Sequence, residues 1–200
     1  MQLADKCIGW GLTGSHCSYE EVLPQMERLM REGARVIPVL SPAVAETDTR
    51  FGTAKTLVER LVQLTGREPI TSIVKAEPTG QKLLFDCFAI APCTGNTLGK
   101  LANAVTDTPV LMAAKGTLRN LRPVVLAIST NDALGANARN LGNVLNMRHV
   151  YVVPFGQDNP DAKPNSCVAD FGKIVETIQA ALEGRQLQPV LVERSKRVVL

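Results

Sequence analysis

The sequence predicts an α/β fold, a three-layer, doubly wound parallel sheet of about six strands. Short β-rich apolar runs alternate with longer segments of helical periodicity from end to end, the pattern of a parallel sheet covered by helices on both faces. The run over residues 85–91 is apolar apart from Asp86, as a central strand buried on both faces requires. The 200 residues, 45% hydrophobic and 20% charged, suit one core rather than two. Residues 1–200 are therefore read as a single domain, with a tail over about 186–200.

Strand A covers about residues 6–10 and leads to a helix over about 18–31, where Val22, Met26, Leu29 and Met30 share one face and Gly33 marks the stop. Strand B (35–40) runs into Ser41-Pro42, and the next helix repeats Ala54, Leu57, Val58, Leu61, Val62 and Leu64 before Gly66. A short strand C is expected near 72–75, followed by a loop holding Pro78 and Gly80. After strand D (85–91) come helices over about 97–105 and 110–119. The segment between them, Thr106-Asp107-Thr108-Pro109, supplies capping residues and a proline suited to a first turn. Strand E (124–128) precedes a helix over about 133–145; strand F (149–153), a Pro/Gly/Asn-rich loop (154–165) and a helix over about 167–182 complete the pattern.

Lys+Arg 22 against Asp+Glu 19 leaves a net charge of +3, spread evenly, which excludes a nucleic-acid footprint. The first residues lack the apolar run of a signal peptide, and no stretch approaches the roughly 18 to 20 apolar residues of a bilayer crossing. A cytoplasmic protein without membrane association is expected. Cys7, Cys17, Cys87, Cys93 and Cys167 are odd in number and form no Cys-x-x-Cys pair, so reduced thiols and no metal site are expected.

Ligands of such sheets bind at the rim formed by the strands' carboxyl ends, where strand order reverses. In the commonest order that point separates strands A and D. Strand A continues into Gly9-Trp10-Gly11-Leu12-Thr13-Gly14-Ser15, a Gly-x-Gly-x-x-Gly pattern opening a helix. Bare glycines let amides approach a phosphate, and a helix N-terminus favours an anion by about 0.3–2 kcal/mol; a tight turn needing small residues is the other reading. Strand B ends in Leu40-Ser41-Pro42, without the acidic residue that holds a ribose diol, which points away from NAD and towards a ligand with one phosphate. The turn Ala91-Pro92-Cys93-Thr94-Gly95-Asn96-Thr97 offers donors and short polar groups for the rim of a flat ring such as an isoalloxazine, or an N-cap through Thr94 or Asn96. Ser129-Thr130-Asn131-Asp132 is a third polar turn on the same rim. His16 falls near the phosphate position and His149 at the opposite rim, no Ser-His-Asp set emerges, and Cys93 reads as a small buried thiol.

Five segments carry a resemblance: residues 11–17 (GLTGSHC), 72–78 (SIVKAEP), 101–107 (LANAVTD), 128–135 (ISTNDALG) and 154–158 (PFGQD). Together they closely resemble the family of dipicolinate synthase B subunits of spore-forming bacteria, over nearly the whole chain. More distantly, the turn from Pro92 to Thr97 is similar to the Pro-Ala-Ser-Ala-Asn-Thr motif of the homo-oligomeric flavin-containing cysteine decarboxylases. The resemblance implies a Rossmann-like flavoprotein fold, bound FMN and a trimer-based homo-oligomer. By the same resemblance, Gly14 and Ser15 match the loop holding the FMN phosphate and Ser41 the strand B hydroxyl near it. Pro92, Thr94, Asn96 and Thr97 match the turn around the ring system, and Ser129 the strand E turn that meets the flavin. Gly11, Thr13, Gly95 and Thr130 complete the cofactor-binding set. The decarboxylases carry a catalytic His where this chain has Lys75-Ala76-Glu77-Pro78, and of their Pro-x-Met-Asn clamp only Asn131 survives.

The activity implied is oxidation of a dihydrodipicolinate, or a hydroxytetrahydrodipicolinate, to dipicolinate in the mother-cell cytoplasm during sporulation. The partner implied is the synthase's A subunit, carrying the nicotinamide cofactor NAD(P). A dicarboxylate substrate calls for fixed cations, because guanidinium groups grip carboxylates bidentately; Arg50, Lys75 and Lys100, with Asn131, are the substrate-binding candidates. A non-catalytic scaffold role and an FMN-dependent decarboxylase or flavin prenyltransferase stay open as alternatives. No catalytic acid or base is assigned.

Overall fold

Six consecutive buried residues form β1 (Cys7–Leu12), which leads through a single 3-10 turn, His16–Ser18, into α1 (Tyr19–Arg31). The computed structural model describes residues 3–193, so the end of the expected tail, 194–200, lies outside the described residues. The chain continues through β2 (Arg35–Leu40), α2 (Pro42–Ala45), α3 (Ala54–Thr65) and α4 (Ile73–Gln81). Next come β3 (Cys87–Cys93), α5 (Gly95–Ala102), α6 (Pro109–Arg119) and β4 (Val124–Thr130). The last elements are α7 (Ala138–Leu145), β5 (Val150–Val152), β6 (Phe155–Gln157), β7 (Cys167–Ala169) and α8 (Ile174–Leu182).

The parallel sheet runs β2-β1-β3-β4-β5, and strand order reverses between β1 and β3. β3 is the central strand and is buried throughout. Helices α1 and α8 cover one face, joined by Arg28 and Glu176 at 3.1 Å; α6 covers the other, with α4 packed onto it. Asp86, the one polar residue of the predicted central run, sits just before β3, where its carboxylate accepts from Cys7 N at 2.8 Å and pairs with Arg122. That rim is the amino-terminal one and only ties strands together.

Three expected elements differ. Strand C is absent; residues 73–81 are helical because Ser72 Oγ accepts from Lys75 N at 3.2 Å as an N-cap. Of the β-branched pair that suggested a strand, Val74 points into water at 79% exposure, and the edge of β2 pairs only through Ile70. The helix expected over 133–145 starts at Ala138, because Asp132 organises residues 130–137 into a turn by accepting from Thr130 Oγ1 and Asn137 Nδ2. The loop over 154–165 and the start of the last helix contain an antiparallel hairpin instead: β6 pairs with β7, and β7 with the end of β4 at Ser129–Val168 and Thr130–Cys167.

Gly80 and Gly116 let α4 lie directly on α6: a Cβ on Gly80 would stand 2.7 Å from Gly116 Cα. Helices held this closely have no room for a methyl group. Gly80→Ala is expected to lower stability by about 1–3 kcal/mol through overpacking, measured by urea denaturation.

Candidate functional site

Thr13 closes the carboxyl end of β1, and its buried hydroxyl donates to Pro92 O at 2.6 Å while accepting from Thr94 N at 3.0 Å. The turns after β1 and β3 are thereby fastened to each other. Trp10 Nε1 repeats the link one step down, donating to Ala91 O at 2.9 Å, and Tyr19 Oη holds Thr13 O at 3.0 Å. Above these bonds opens a cleft of about 920 Å³, within the size range of cofactor sites.

Gly14, Ser15, Arg50, Thr94, Gly95, Ser129, Thr130 and Asn131 line this cleft. The other candidates lie around it. Gly9 and Gly11 belong to β1, where a Cβ would strike the Phe88 ring or Val110. Their bareness serves the core, which leaves Gly14 as the glycine of the fingerprint in the cleft wall. Thr13 and Pro92 form the floor through the bonds above. Thr94 does cap α5, accepting from Thr97 N at 3.4 Å, while Asn96 is exposed on that helix, outside the cleft lining. Ser41 is buried beyond the end of β2; its amide donates to Leu12 O at 3.1 Å, and its hydroxyl has no partner among the described residues. Lys75 lies exposed on α4 and Lys100 pairs with Asp107 at 2.6 Å, both outside the cleft lining.

Ser15 Oγ shares hydrogen bonds with Ser129 Oγ at 2.8 Å and Ser18 Oγ at 3.1 Å, so three hydroxyls meet where α1 begins. Gly95 sits against the β4 turn so closely that a Cβ would come within 2.4 Å of Thr130 Oγ1. Burial holds the His16 imidazole below its ordinary value, and its ring leans on Tyr19 at 5.2 Å between centroids. Cys93 is fully buried, and desolvation pushes its thiol up to about 12, which makes it inert at neutral pH. Among the described residues no group of His, Cys, Asp and Glu is arranged to hold a metal, and no helix is long and apolar enough to cross a membrane.

Sequence reasoning missed one wall. The loop between β6 and β7 brings Asp158, Asn159, Lys163 and Ser166 into the cleft, and Ser166 Oγ reaches Asn131 Oδ1 at 3.5 Å. Burial pushes the Asp158 carboxyl up, but Ser166 and Lys163, at 3.5 Å, outweigh it and hold the group below its ordinary value. The polar cluster after Pro154 was the available signal, but nothing in its composition showed that the chain would return as a hairpin.

The family model described as Flavoprotein matches residues 2–183. The B subunit of dipicolinate synthase from Bacillus subtilis (strain 168) is 58% identical over 191 residues, 96% of each chain. The crystal structure of the dipicolinate synthase B subunit from Bacillus halodurans C aligns with a TM-score of 0.89 at 54% identity, covering 97% of this chain and 100% of that one. The FMN-dependent cysteine decarboxylase SpaF aligns with a TM-score of 0.63 at 15% identity, over 92% of this chain and 99% of that one, which shows a shared fold.

Two outcomes follow from the site's own bonds. Thr13→Val is expected to cost about 1–3 kcal/mol, because it strands a buried carbonyl and a buried amide; thermal unfolding measures it. His16 has a folded pKa below the ordinary imidazole value of about 6.5, so its contribution to stability is present above that pH and fades as pH falls through the folded value. An NMR titration of the His16 ring should therefore give a midpoint below about 6.5.

Proposed function

Because the chain belongs to the Flavoprotein family and, within it, with the dipicolinate synthase B subunits, we propose that it is the FMN-binding component of that synthase. In this reading it oxidises a dihydrodipicolinate, or a hydroxytetrahydrodipicolinate after loss of water, to dipicolinate. The observation that carries the reading is the fastening of the β1 and β3 turns by Thr13 beneath a single cleft. FMN fits the residues present. Ser15, Ser18 and Ser129 gather three hydroxyls at the helix start, where a phosphate is favoured. Beside the cleft lining, Ser41 holds a buried hydroxyl without a partner among the described residues, an arrangement that proteins rarely leave unfilled. Thr94, Gly95 and Thr130 line the cleft with short groups suited to the edge of a flat ring.

When bound, FMN supplies the two-electron acceptor that loss of two hydrogens from the substrate requires. The chain's residues do the rest. Arg50, Lys163 and Asn131 line the cleft to hold the two carboxylates. His16 lines the cleft with Nε2 turned towards Gly14 and is the residue placed to take up the released proton. The reading includes the synthase's A subunit with NAD(P), a trimer-based homo-oligomer in the mother-cell cytoplasm, and no cysteine decarboxylation, since the residues at 75–78 hold no histidine.

Soaking the purified chain with FMN should give a yellow protein and quench flavin fluorescence. Ser15→Asp is expected to weaken FMN by about tenfold or more through lost hydrogen bonds and like charge, while riboflavin, lacking the phosphate, changes little. Mixed with the synthase's A subunit plus NAD(P), the chain should support pyridine-dicarboxylate formation, followed by absorbance, only with FMN present. Equal synthesis without flavin would sink the redox role in favour of a scaffold.

A further inference from the structure

Phe51 is the only aromatic side chain among the described residues that is exposed, at 53%, and it lines both the main cleft and a smaller cavity of about 250 Å³ beside it. A phenyl ring gains by leaving water, so a ring displayed on a firmly built tip invites cover. The tip is firm. Thr49 N donates to Gly52 O at 2.9 Å, Gly52 N returns a bond to Thr49 O at 3.1 Å, and Phe51 N donates to Thr49 Oγ1 at 3.1 Å. Gly52 holds φ +135°, which a side chain would resist, and Asp48 Oδ1 accepts from Ala54 N at 2.9 Å, pinning the loop to the start of α3. The Arg50 guanidinium stands over the Phe51 ring, 4.9 Å from its centroid, and makes no ion pair with the described residues. Lys163, the other cation of the cleft, pairs with Asp158.

We propose that the 49–52 tip is the recognition element for a planar ring dicarboxylate: Phe51 stacks on the flat ring, Arg50 grips one carboxylate, and Lys163 on the β6–β7 loop serves the other. Stacking selects planarity, and a fixed guanidinium fork selects a carboxylate in the ring's own plane. The tip thereby favours the aromatic product and nearly flat precursors over puckered, saturated rings. The inference rests on the dicarboxylate reading of the cleft and adds to it the residue that reads ring shape.

Isothermal titration of the full chain with pyridine-2,6-dicarboxylate, with and without FMN, tests it. Phe51→Leu and Arg50→Gln should each weaken the dicarboxylate by about tenfold, while FMN affinity, read by fluorescence quenching, stays within about twofold because neither side chain is assigned to the flavin. Cis-cyclohexane-1,3-dicarboxylate, equally charged but puckered, should bind the unaltered chain more weakly and be indifferent to Phe51→Leu. The proposal is overturned if pyridine-2,6-dicarboxylate does not bind, if both variants bind it as the unaltered chain does, or if they lose FMN instead, which would assign the tip to the flavin. If FMN fails to bind while this dicarboxylate pattern holds, the flavin reading falls and the tip's role stands.

Discussion

The hydroxyl of Thr13 donates a hydrogen bond to the Pro92 carbonyl and accepts one from the Thr94 amide, and the site's geometry depends on that pair of hydrogen bonds. Strands in a parallel sheet are paired along their length, but the turns that leave their ends are not, and each could swing separately. A buried hydroxyl with one donor and one acceptor engaged satisfies both strand ends at once. An apolar replacement would leave two buried backbone groups bare. Two turns distant in sequence, one suited to a phosphate and the other to a ring, are thus held at a fixed spacing by the protein itself, before any ligand arrives. Fixed spacing is what lets binding energy go into recognition rather than into ordering loops.

Close packing carries the constraint outward. Gly95 has no room for a side chain because Thr130, Asp132 and Asn137 crowd it, so the β3 turn is pressed onto the β4 turn as firmly as Thr13 ties it to β1. The end of β4 then receives β7 in antiparallel pairing, which converts an open sheet edge into a wall and brings the β6–β7 loop over the rim. The cleft is therefore bounded on three sides, by the Thr13 hydroxyl, by the close contact at Gly95 and by the β4–β7 pairing. Its fourth side, the 49–52 tip, is held among the described residues by Asp48 and by the bonds of its own short turn.

Much of this was legible in the sequence because it depends on burial. The apolar run over 85–91 forecast the central strand, and the reversal between the first strand and this one forecast the rim on which the turns at 11–15 and 92–97 meet. What escaped was decided by single polar side chains. Ser72 turns Ile73 and Val74 into a helix start despite their strand propensity, since one cap outweighs a weak local preference. Asp132 delays α7 by a turn. The β6–β7 hairpin has three-residue strands, too short for alternation to show, and its pairing partner lies far away in the sequence. The glycine pattern misled in a different way. Its spacing was real, but two of its members answer to Phe85, Phe88 and Val110 in the core, and no periodicity separates a glycine that admits a phosphate from one that admits an aromatic ring.

Charge divides the cleft into two regions with different physics. At its inner end the donors are neutral: Ser15, Ser18 and Ser129 bond to one another at 2.8–3.3 Å, and hydroxyls can turn their protons to an incoming anion without leaving a buried charge behind when it departs. A lysine there would carry the desolvation penalty of an unpaired ion in the empty site. At the outer end Lys163 pairs with Asp158, whereas Arg50 makes no ion pair with the described residues and is exposed to water, where remaining unpaired costs little. In the proposed reading, mononucleotide binding at the inner end would rely on short, directional bonds that salt barely weakens, whereas capture of a dicarboxylate at the tip would rely on Coulomb attraction that ions screen within about 10 Å at 0.1 M salt. Raising ionic strength should separate the two, releasing the dicarboxylate while the nucleotide stays bound. That separation also suits a resident cofactor beside a substrate that must leave after each turnover.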